Sequence, residues 1–347
     1  MTESKSVASP AAVQNSTLDY KPVVWGILST AKINSSILGG ARASSRVNIA
    51  AVASREASRA RTYAQEHEIE RSYGSYDELL GDSDIEAIYI SVPHALHVEW
   101  TVRALEAGKH VLCEKAFTTT PPEAERAFDV AERNELVLME GLMWRHSPQT
   151  KRMKELVEDG SIGKLQVVRT ALNFDVLGFT GPSAIQFNAE LGGGSLGDMA
   201  CYCVSAMRLL AGEPERVYVE QVTGETGVDV QLSGTLRFKD DVVGQLDTSL
   251  VTPYRMEVEV IGSKGSLFIG DPWFCHEAGI QLRRPDGTER IEVEAPDVYR
   301  LELENMSDAI RGVAEPLLGR TDALGQARAL EALRRSAATG QPVTLGA

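Results

Sequence analysis

The sequence predicts an α/β protein: an N-terminal doubly wound parallel sheet, then a C-terminal α+β half with a large, mostly antiparallel open sheet. Three observations carry this prediction. Over residues 22–143, short apolar runs without alternation are separated by amphipathic helical segments, as in buried parallel strands joined by crossover helices. After about residue 143, longer strands succeed one another with turn residues between them. The length, 347 residues, suits about two domains, each large enough to bury its own core.

Taken in order, VVWGIL (23–28) reads as the first strand, and the spacing of Ile33, Ile37 and Leu38 predicts a helix after it. Strands at 47–54, 85–92, 110–115 and 136–143 alternate with helices at 56–67, 76–80, from His94 onward, and from Pro121 to about 134. The second half opens with a helix at 147–159 and a strand at 164–176. A glycine triplet, Gly192-Gly193-Gly194, feeds a helix from Ser195 to Leu210 that stops at Gly212. Strands follow at 216–224, 230–240, 242–250, 255–270 and 280–293, with turns at Asp240-Asp241, Gly262–Gly265 and Asp286-Gly287. Helices at about 299–313 and 321–338 close the chain.

Acids outnumber bases by 49 to 35, a formal charge of −14, which disfavours a polyanion such as nucleic acid as partner. No apolar run approaches a membrane span. Residues 1–21 have no apolar signal core and read as a disordered leader. The four cysteines lack zinc-site spacing, so no metal is expected; they read as small buried side chains of a cytoplasmic protein.

Chemistry concentrates in three places. Gly26, Leu28 and Ala31 occupy the three small-residue positions of a dinucleotide fingerprint, with leucine departing at the second. The turn and helix start, Ser29, Thr30, Ala31, Lys32 and Ile33, would offer amide groups to a pyrophosphate. The second strand ends in Ser54-Arg55, with Arg59 a helical turn on. Two guanidiniums there suit a 2′-phosphate and favour NADP over NAD, although a solvated helix face has the same pattern. Lys115, at the end of the 110–115 strand, lies where ligands bind in such sheets; a plain surface lysine fits equally. Asp198 and Tyr202, four apart, would share a helix face and could converge on one hydroxyl, or serve only the helix dipole and the core.

Together GILSTA (26–31), ASR (53–55), SVPHALHVEW (91–100), AGKHVLCEKA (107–116), MEGLMWRHSPQT (139–150), GSIGKL (160–165) and ELGGGSLGDMACYCV (190–204) resemble the Gfo/Idh/MocA oxidoreductase family. The likeness covers nearly all of residues 21–347. It is strongest to the branch of D-xylose dehydrogenases, dimeric dihydrodiol dehydrogenases and glucose–fructose oxidoreductase. The resemblance implies a Rossmann domain over 22–143 and a substrate-binding and oligomerisation domain over 144–347. It implies NADP-dependent hydride transfer between nicotinamide C4 and a sugar, polyol or diol hydroxyl carbon, for example in an aldose 1-dehydrogenase. A 3-keto-sugar or diol reductase, or an inactive dinucleotide sensor, could use the same scaffold.

By position, the resemblance makes Lys115, Tyr202 and Asp198 catalytic: the tyrosine moves a proton, the lysine stabilises its phenolate and the aspartate orients them. It sets Ser91, Pro93, His94, His97, Glu114 and Arg145 around the cofactor. Asn173, Asp175, Gln186, Asn188 and Tyr254, with Tyr202, are the candidate substrate contacts. Ala116 replaces the proline that follows the lysine in the family, which suggests a trans peptide and a differently aimed Lys115. A homodimer or homotetramer through the C-terminal sheet is implied as well.

Overall fold

A computed structural model describes residues 21–346, so all but the last residue of the leader lies outside the described residues. The first sheet comprises β1 (Val23–Leu28), β2 (Val47–Ala53), β3 (Arg71–Tyr73), β4 (Ala87–Ile90), β5 (His110–Glu114) and β6 (Leu138–Gly141). All its strands are parallel, in the order β3-β2-β1-β4-β5-β6. The crossovers carry α1 (Asn34–Arg42), α2 (Ala57–His67), α3 (Tyr76–Leu80), α4 (His97–Glu106) and α5 (Pro121–Arg133). Every residue of β4 and β6 is buried, because helices cover both faces; hence the absence of alternation in the sequence. Two prolines open α5, where the missing N–H groups would have no helical partner anyway. The strand order reverses between β1 and β4, and that reversal opens a crevice beyond the carboxyl ends of the strands.

Beyond it come α6 (Pro148–Glu158), β7 (Leu165–Asp175), α7 (Val176–Thr180) and α8 (Cys201–Ala211). They are followed by β8 (Arg216–Thr223), β9 (Asp229–Arg237), β10 (Val243–Ser249), β11 (Val251–Gly262), β12 (Ser266–Ile269), β13 (Ile280–Arg284) and β14 (Gly287–Ile291). The chain closes with α9 (Val298–Ile310), α10 (Arg320–Thr339) and β15 (Val343–Thr344). The nine-stranded sheet runs β14-β13-β12-β11-β7-β10-β9-β8-β15, antiparallel except where β7 pairs with β10. Asp240 and Asp241 turn the β9–β10 hairpin with φ of 55° and 65°, a region aspartate tolerates.

The predicted helix over 195–210 begins instead as a π-helical turn, Leu196–Ala200, before α8. The 255–270 segment divides into β11, which starts four residues earlier at Val251, and β12. Three elements escape the sequence reading, β3, β15 and α7, with three, two and five residues. Pieces that short carry no period to detect.

One apolar core runs from Val23, Trp25 and Ile27 through Trp144 to Val258, Val260 and Trp273 of the second half. The other face of the first sheet packs under α3, α4 and α5 and takes Ala323 and Ala327 of α10. A Cβ on Gly40 of α1 would stand 2.6 Å from the Arg300 amide nitrogen, so glycine there lets the first turn of α9 rest on α1. That close approach brings Tyr299 to the crevice.

Candidate active site

The crevice is a cavity of about 750 Å³ with a Rossmann end and a far end contributed by the second half. At the Rossmann end, Ser29, Thr30, Ala31, Lys32 and Ile33 line the wall where β1 gives way to α1. The turn is locked by a small network. Ser29 Oγ meets Ser91 Oγ at 2.8 Å, Ser91 Oγ donates to Asn34 Oδ1 at 2.7 Å, and Asn34 Nδ2 donates to the Ser29 carbonyl at 2.9 Å. Ser29 itself has φ of 129°, an unusual conformation for any residue but glycine. Gly26 and Leu28, expected among the cofactor contacts, do not line the cavity. A Cβ on Gly26 would approach Leu79 Cδ1 to 2.8 Å, so its small size serves packing beneath the sheet.

Ser54, Arg55 and Arg59 border the same end. Both arginines are exposed, and neither guanidinium has a carboxylate within ion-pair distance among the described residues.

At the ends of β4 and β5 the cavity is walled by Ser91, Pro93, His94, His97, Glu114 and Lys115. The Lys115–Ala116 peptide bond is cis, which overturns the trans expectation drawn from Ala116. Each carbonyl oxygen of that bond's residues has an imidazole nitrogen at hydrogen-bond distance: His94 Nε2 lies 3.0 Å from the Lys115 oxygen and His97 Nδ1 lies 2.9 Å from the Ala116 oxygen, and a neutral ring donates to one of its two carbonyl neighbours. The opposite ring nitrogens meet the carbonyls of Gly192 and Val92. Burial pushes the His97 imidazole down to about 3, so it stays neutral. These histidines therefore fix the loop that aims Lys115.

Lys115 Nζ donates to Asp198 Oδ1 and to the Asp198 carbonyl oxygen, each at 2.8 Å. Burial opposes the ammonium, but the Asp198 carboxylate outweighs it and holds the lysine above its ordinary value. Burial likewise opposes charge on Asp198, yet Lys115 keeps its carboxyl below the usual range. The pair is thus an ammonium and a carboxylate. Tyr202 lies alongside, its ring centroid 5.0 Å from Nζ, and burial raises its phenol well above the ordinary value. Its hydroxyl points at Met143 Sδ, 3.5 Å away, and not at Lys115, which corrects the expected phenolate–lysine contact. Behind them the Tyr89 hydroxyl donates to Glu114 at 2.5 Å.

The backbone places these groups through the glycine triplet and the π-turn. A Cβ on Gly194, whose φ is 123°, would meet Asp229 Oδ1 at 2.1 Å, and Asp229 Oδ2 accepts from Leu196 N at 2.7 Å where the π-turn begins. Gln326 of α10 donates to the Cys201 carbonyl at 2.7 Å, at the junction of π-turn and α8, and accepts from Arg208 Nη1 at 3.1 Å. Burial raises the Asp229 carboxyl to about 6. An acid raised in the folded state makes the fold more stable when protonated, and that stability is lost as pH rises from about 4 to about 6. Asp229→Asn should therefore gain Tm relative to the parent as pH rises through that window. A constant difference across a pH series of melting curves would refute the assignment.

Several expected contacts lie elsewhere. Arg145 does not reach the cavity; its guanidinium donates to Ser205 Oγ at 3.1 Å and Asp322 Oδ1 at 3.3 Å, which turn it toward α10. Asn173 is buried on β7 and donates to Asp247 at 3.0 Å, because alternation turns it to the face opposite Leu172 and Phe174, which line the cavity. Asp175 and Asn188 are spent as caps, accepting from Gly178 N and Leu191 N. Tyr254 packs edge-on against Phe174 and leaves the lining to that residue. Gln186 does line the cavity, as do Asp198 and Tyr202. Sequence reasoning misses Asn34, Tyr299 and Gln326. The signals available for the last two are glycines inside helices, Gly40 beside Tyr299's turn and Gly325 beside Gln326.

Comparison with known proteins places the two halves in matching family models. Residues 25–142 match the oxidoreductase family with NAD-binding Rossmann fold, and residues 150–268 match the GFO/IDH/MocA C-terminal domain. The chain is similar to a D-xylose 1-dehydrogenase (NADP(+)) of Haloferax volcanii, 36% identical across 93% of this chain and 100% of that one. It is also similar to a trans-1,2-dihydrobenzene-1,2-diol dehydrogenase of Danio rerio, 30% identical over 72% of this chain and 75% of that one. Among solved structures, a 3-ketoreductase from Actinomadura kijaniata in complex with NADP and TDP-benzene superposes with a TM-score of 0.86 at 29% identity, covering 91% of this chain and 98% of that one.

Proposed function

The chain belongs to the Gfo/Idh/MocA oxidoreductase family, and we propose that it is an NADP-dependent enzyme interconverting a hydroxyl and a carbonyl on a sugar or related polyol or diol. The observation that carries this reading is the Lys115–Asp198 pair, doubly bonded at 2.8 Å at the end of β5, with Tyr202 beside it in the cavity wall.

The donor set fits the dinucleotide. The residues leading into α1 line the cavity, no carboxylate ends β2, and among the described residues Arg55 and Arg59 have no carboxylate at ion-pair distance at the end where a 2′-phosphate would lie. Bound there, NADP would supply or accept the hydride. Replacing both arginines with alanine is expected to weaken NADPH by about tenfold or more for each guanidinium removed, while sparing NADH. Fluorescence titration of both cofactors checks this, and an unchanged NADPH/NADH ratio would refute it.

The protein supplies the proton chemistry. Lys115 as ammonium and Tyr202 as phenol are both donors at neutral pH, and Asp198 holds the lysine in place. In reduction they stabilise and protonate the oxygen of a carbonyl as it becomes an alkoxide. In oxidation the site must first give up a proton. Reduction is therefore expected to stay flat through neutrality while oxidation accelerates with rising pH; a reduction rate that already falls about tenfold per unit between pH 6 and 8 would contradict it.

A panel of pentoses, hexoses, inositols and trans-diols, followed by NADPH absorbance with NADP+ and with NAD+, tests the function. Silence across the whole panel, with the corresponding ketones equally inert, would overturn it. The four cysteines are free, buried thiols, which supports a cytoplasmic setting. The outer face of the nine-stranded sheet, carrying Arg169, Gln245 and Glu259 in cross-strand contacts, is the proposed homodimer or homotetramer surface.

A further inference from the structure

The backbone that carries Lys115 is gripped by a group outside the cavity. The Phe117 amide donates to Glu140 Oε1 at 2.8 Å. Glu140 stands on β6, is 2% exposed and does not line the cavity, so it is placed to touch neither cofactor nor substrate. Its bond to the loop has a fixed direction. The neutral imidazoles of His94 and His97 each have one N–H to share between two carbonyls. The Phe117 amide is always a donor, and the Glu140 carboxyl accepts in either protonation state. Burial raises that carboxyl to about 7, so both states occur at neutral pH. The Phe117 ring is itself buried, edge-on to Phe128 of α5 at 6.3 Å, which leaves the amide no solvent to turn to.

The charges acting on Glu140 are Asp322 of α10, Arg208 of α8 and Arg145. These three also face one another, with Asp322 Oδ1 3.3 Å from Arg145 Nη1 and 3.7 Å from Arg208 Nη1. From Arg208 the contacts run through Gln326 to the Cys201 carbonyl, at the end of the π-turn that carries Asp198. One buried cluster thus borders the backbone on both sides of the Lys115–Asp198 pair. We propose that Glu140 is a positioning residue, whose bond to the Phe117 amide sets the aim of Lys115 at Asp198 and at the substrate oxygen. The proposal rests on the oxidoreductase reading and adds a residue to it. Deprived of its acceptor, a buried amide must find another, and the loop moves to reach it. A shift of about an ångström at a proton donor costs up to about 10²-fold in rate.

Two variants of the full chain separate the bond from the charge. Glu140→Gln keeps an acceptor at the same reach and loses the charge; Glu140→Asp keeps the charge and falls one methylene short of the amide. Turnover is followed with NADP+ on pentoses, hexoses, inositols and trans-diols, and kcat is counted per site that binds NADPH. Glu140→Asp is expected to lower kcat by about 10–10²-fold, with substrate KM and NADPH affinity close to the parent's. Glu140→Gln should stay near the parent in all three. Hydrogen exchange of the Phe117 amide, read by mass spectrometry, should speed up several-fold in Glu140→Asp and not in Glu140→Gln. Parental kcat in Glu140→Asp overturns the proposal, as does an equal loss in both variants, which would assign the effect to charge or packing. So does unchanged exchange at Phe117, or a loss confined to Tm and NADPH affinity. A parent that binds NADPH and turns over nothing in the panel is a different outcome: it removes the oxidoreductase reading itself, and the proposal with it.

Discussion

Lys115→Met is expected to cut turnover by about 10²–10⁴-fold while NADPH still binds. Methionine keeps the aliphatic stem that packs beside Tyr202, so the loss falls on the ammonium and its two 2.8 Å bonds to Asp198. Without its partner, the Asp198 carboxylate loses the neighbouring charge that most lowers it in the parent. A merely structural lysine would lower Tm and leave the turnover of surviving protein intact. The companion variant, Tyr202→Phe, keeps the ring on Trp273 and removes only the hydroxyl. It should cost turnover of the same order with little change in NADPH affinity. Full activity in Tyr202→Phe would leave Lys115 as the sole proton donor and sink the tyrosine's assignment.

The largest expected effect on stability belongs to a residue outside the cavity lining. Arg208 is 4% exposed along its side chain. It grips Glu213 through Nε and Nη2 at 2.9 and 2.6 Å, and Nη1 reaches Gln326 and Asp322. Removing Arg208 leaves the buried Gln326 and the largely buried Asp322 without their cation while Glu213 turns to solvent, a loss of about 1–3 kcal/mol, so Arg208→Met should lower Tm by roughly 2–4 °C. Gln326 then loses the anchor that holds it on the Cys201 carbonyl, so turnover should fall too, by up to about 10²-fold if the π-turn shifts an ångström. Gly325→Ala tests the same packing from the other side. Alanine gains roughly 1 kcal/mol of helix propensity. Its Cβ would nevertheless lie 2.0 Å from Arg208 Nη2, and overpacking of that kind costs about 1–3 kcal/mol. The steric term should win. A Gly325→Ala protein that melts higher than its parent would show that Arg208 can move aside freely.

What can be read in the sequence follows from the range of the forces involved. The alternation of apolar runs and helical periods is local, so both sheets are foreseeable. Lys115 is legible because parallel sheets bind ligands beyond the carboxyl ends of their strands, a rule that needs only the strand's end. Asp198 and Tyr202 are legible as a pair four residues apart. Their geometry is not, since the π-turn at Leu196–Ala200 and the methionine facing the Tyr202 hydroxyl depend on packing. Arg145 is misplaced for the same reason: position along the chain brings it near the cofactor, while Ser205 and Asp322, 60 and 177 residues away, decide where its guanidinium goes. Tyr299 and Gln326 enter the site on helices from the end of the chain. Only a glycine at each close approach, Gly40 or Gly325, hints at them.

The proposed chemistry requires one cavity to hold both the cofactor and the proton donors. Rapid mixing of the protein with NADPH, then with a panel of ketoses, aldoses and cyclic α-hydroxyketones, reads both at once. NADPH fluorescence should report binding in the parent and in Lys115→Met alike. Its consumption should follow for at least one carbonyl compound in the parent and slow by about 10²-fold or more in the variant. Equal consumption by the two proteins, or no NADPH binding by either, would contradict this mechanism.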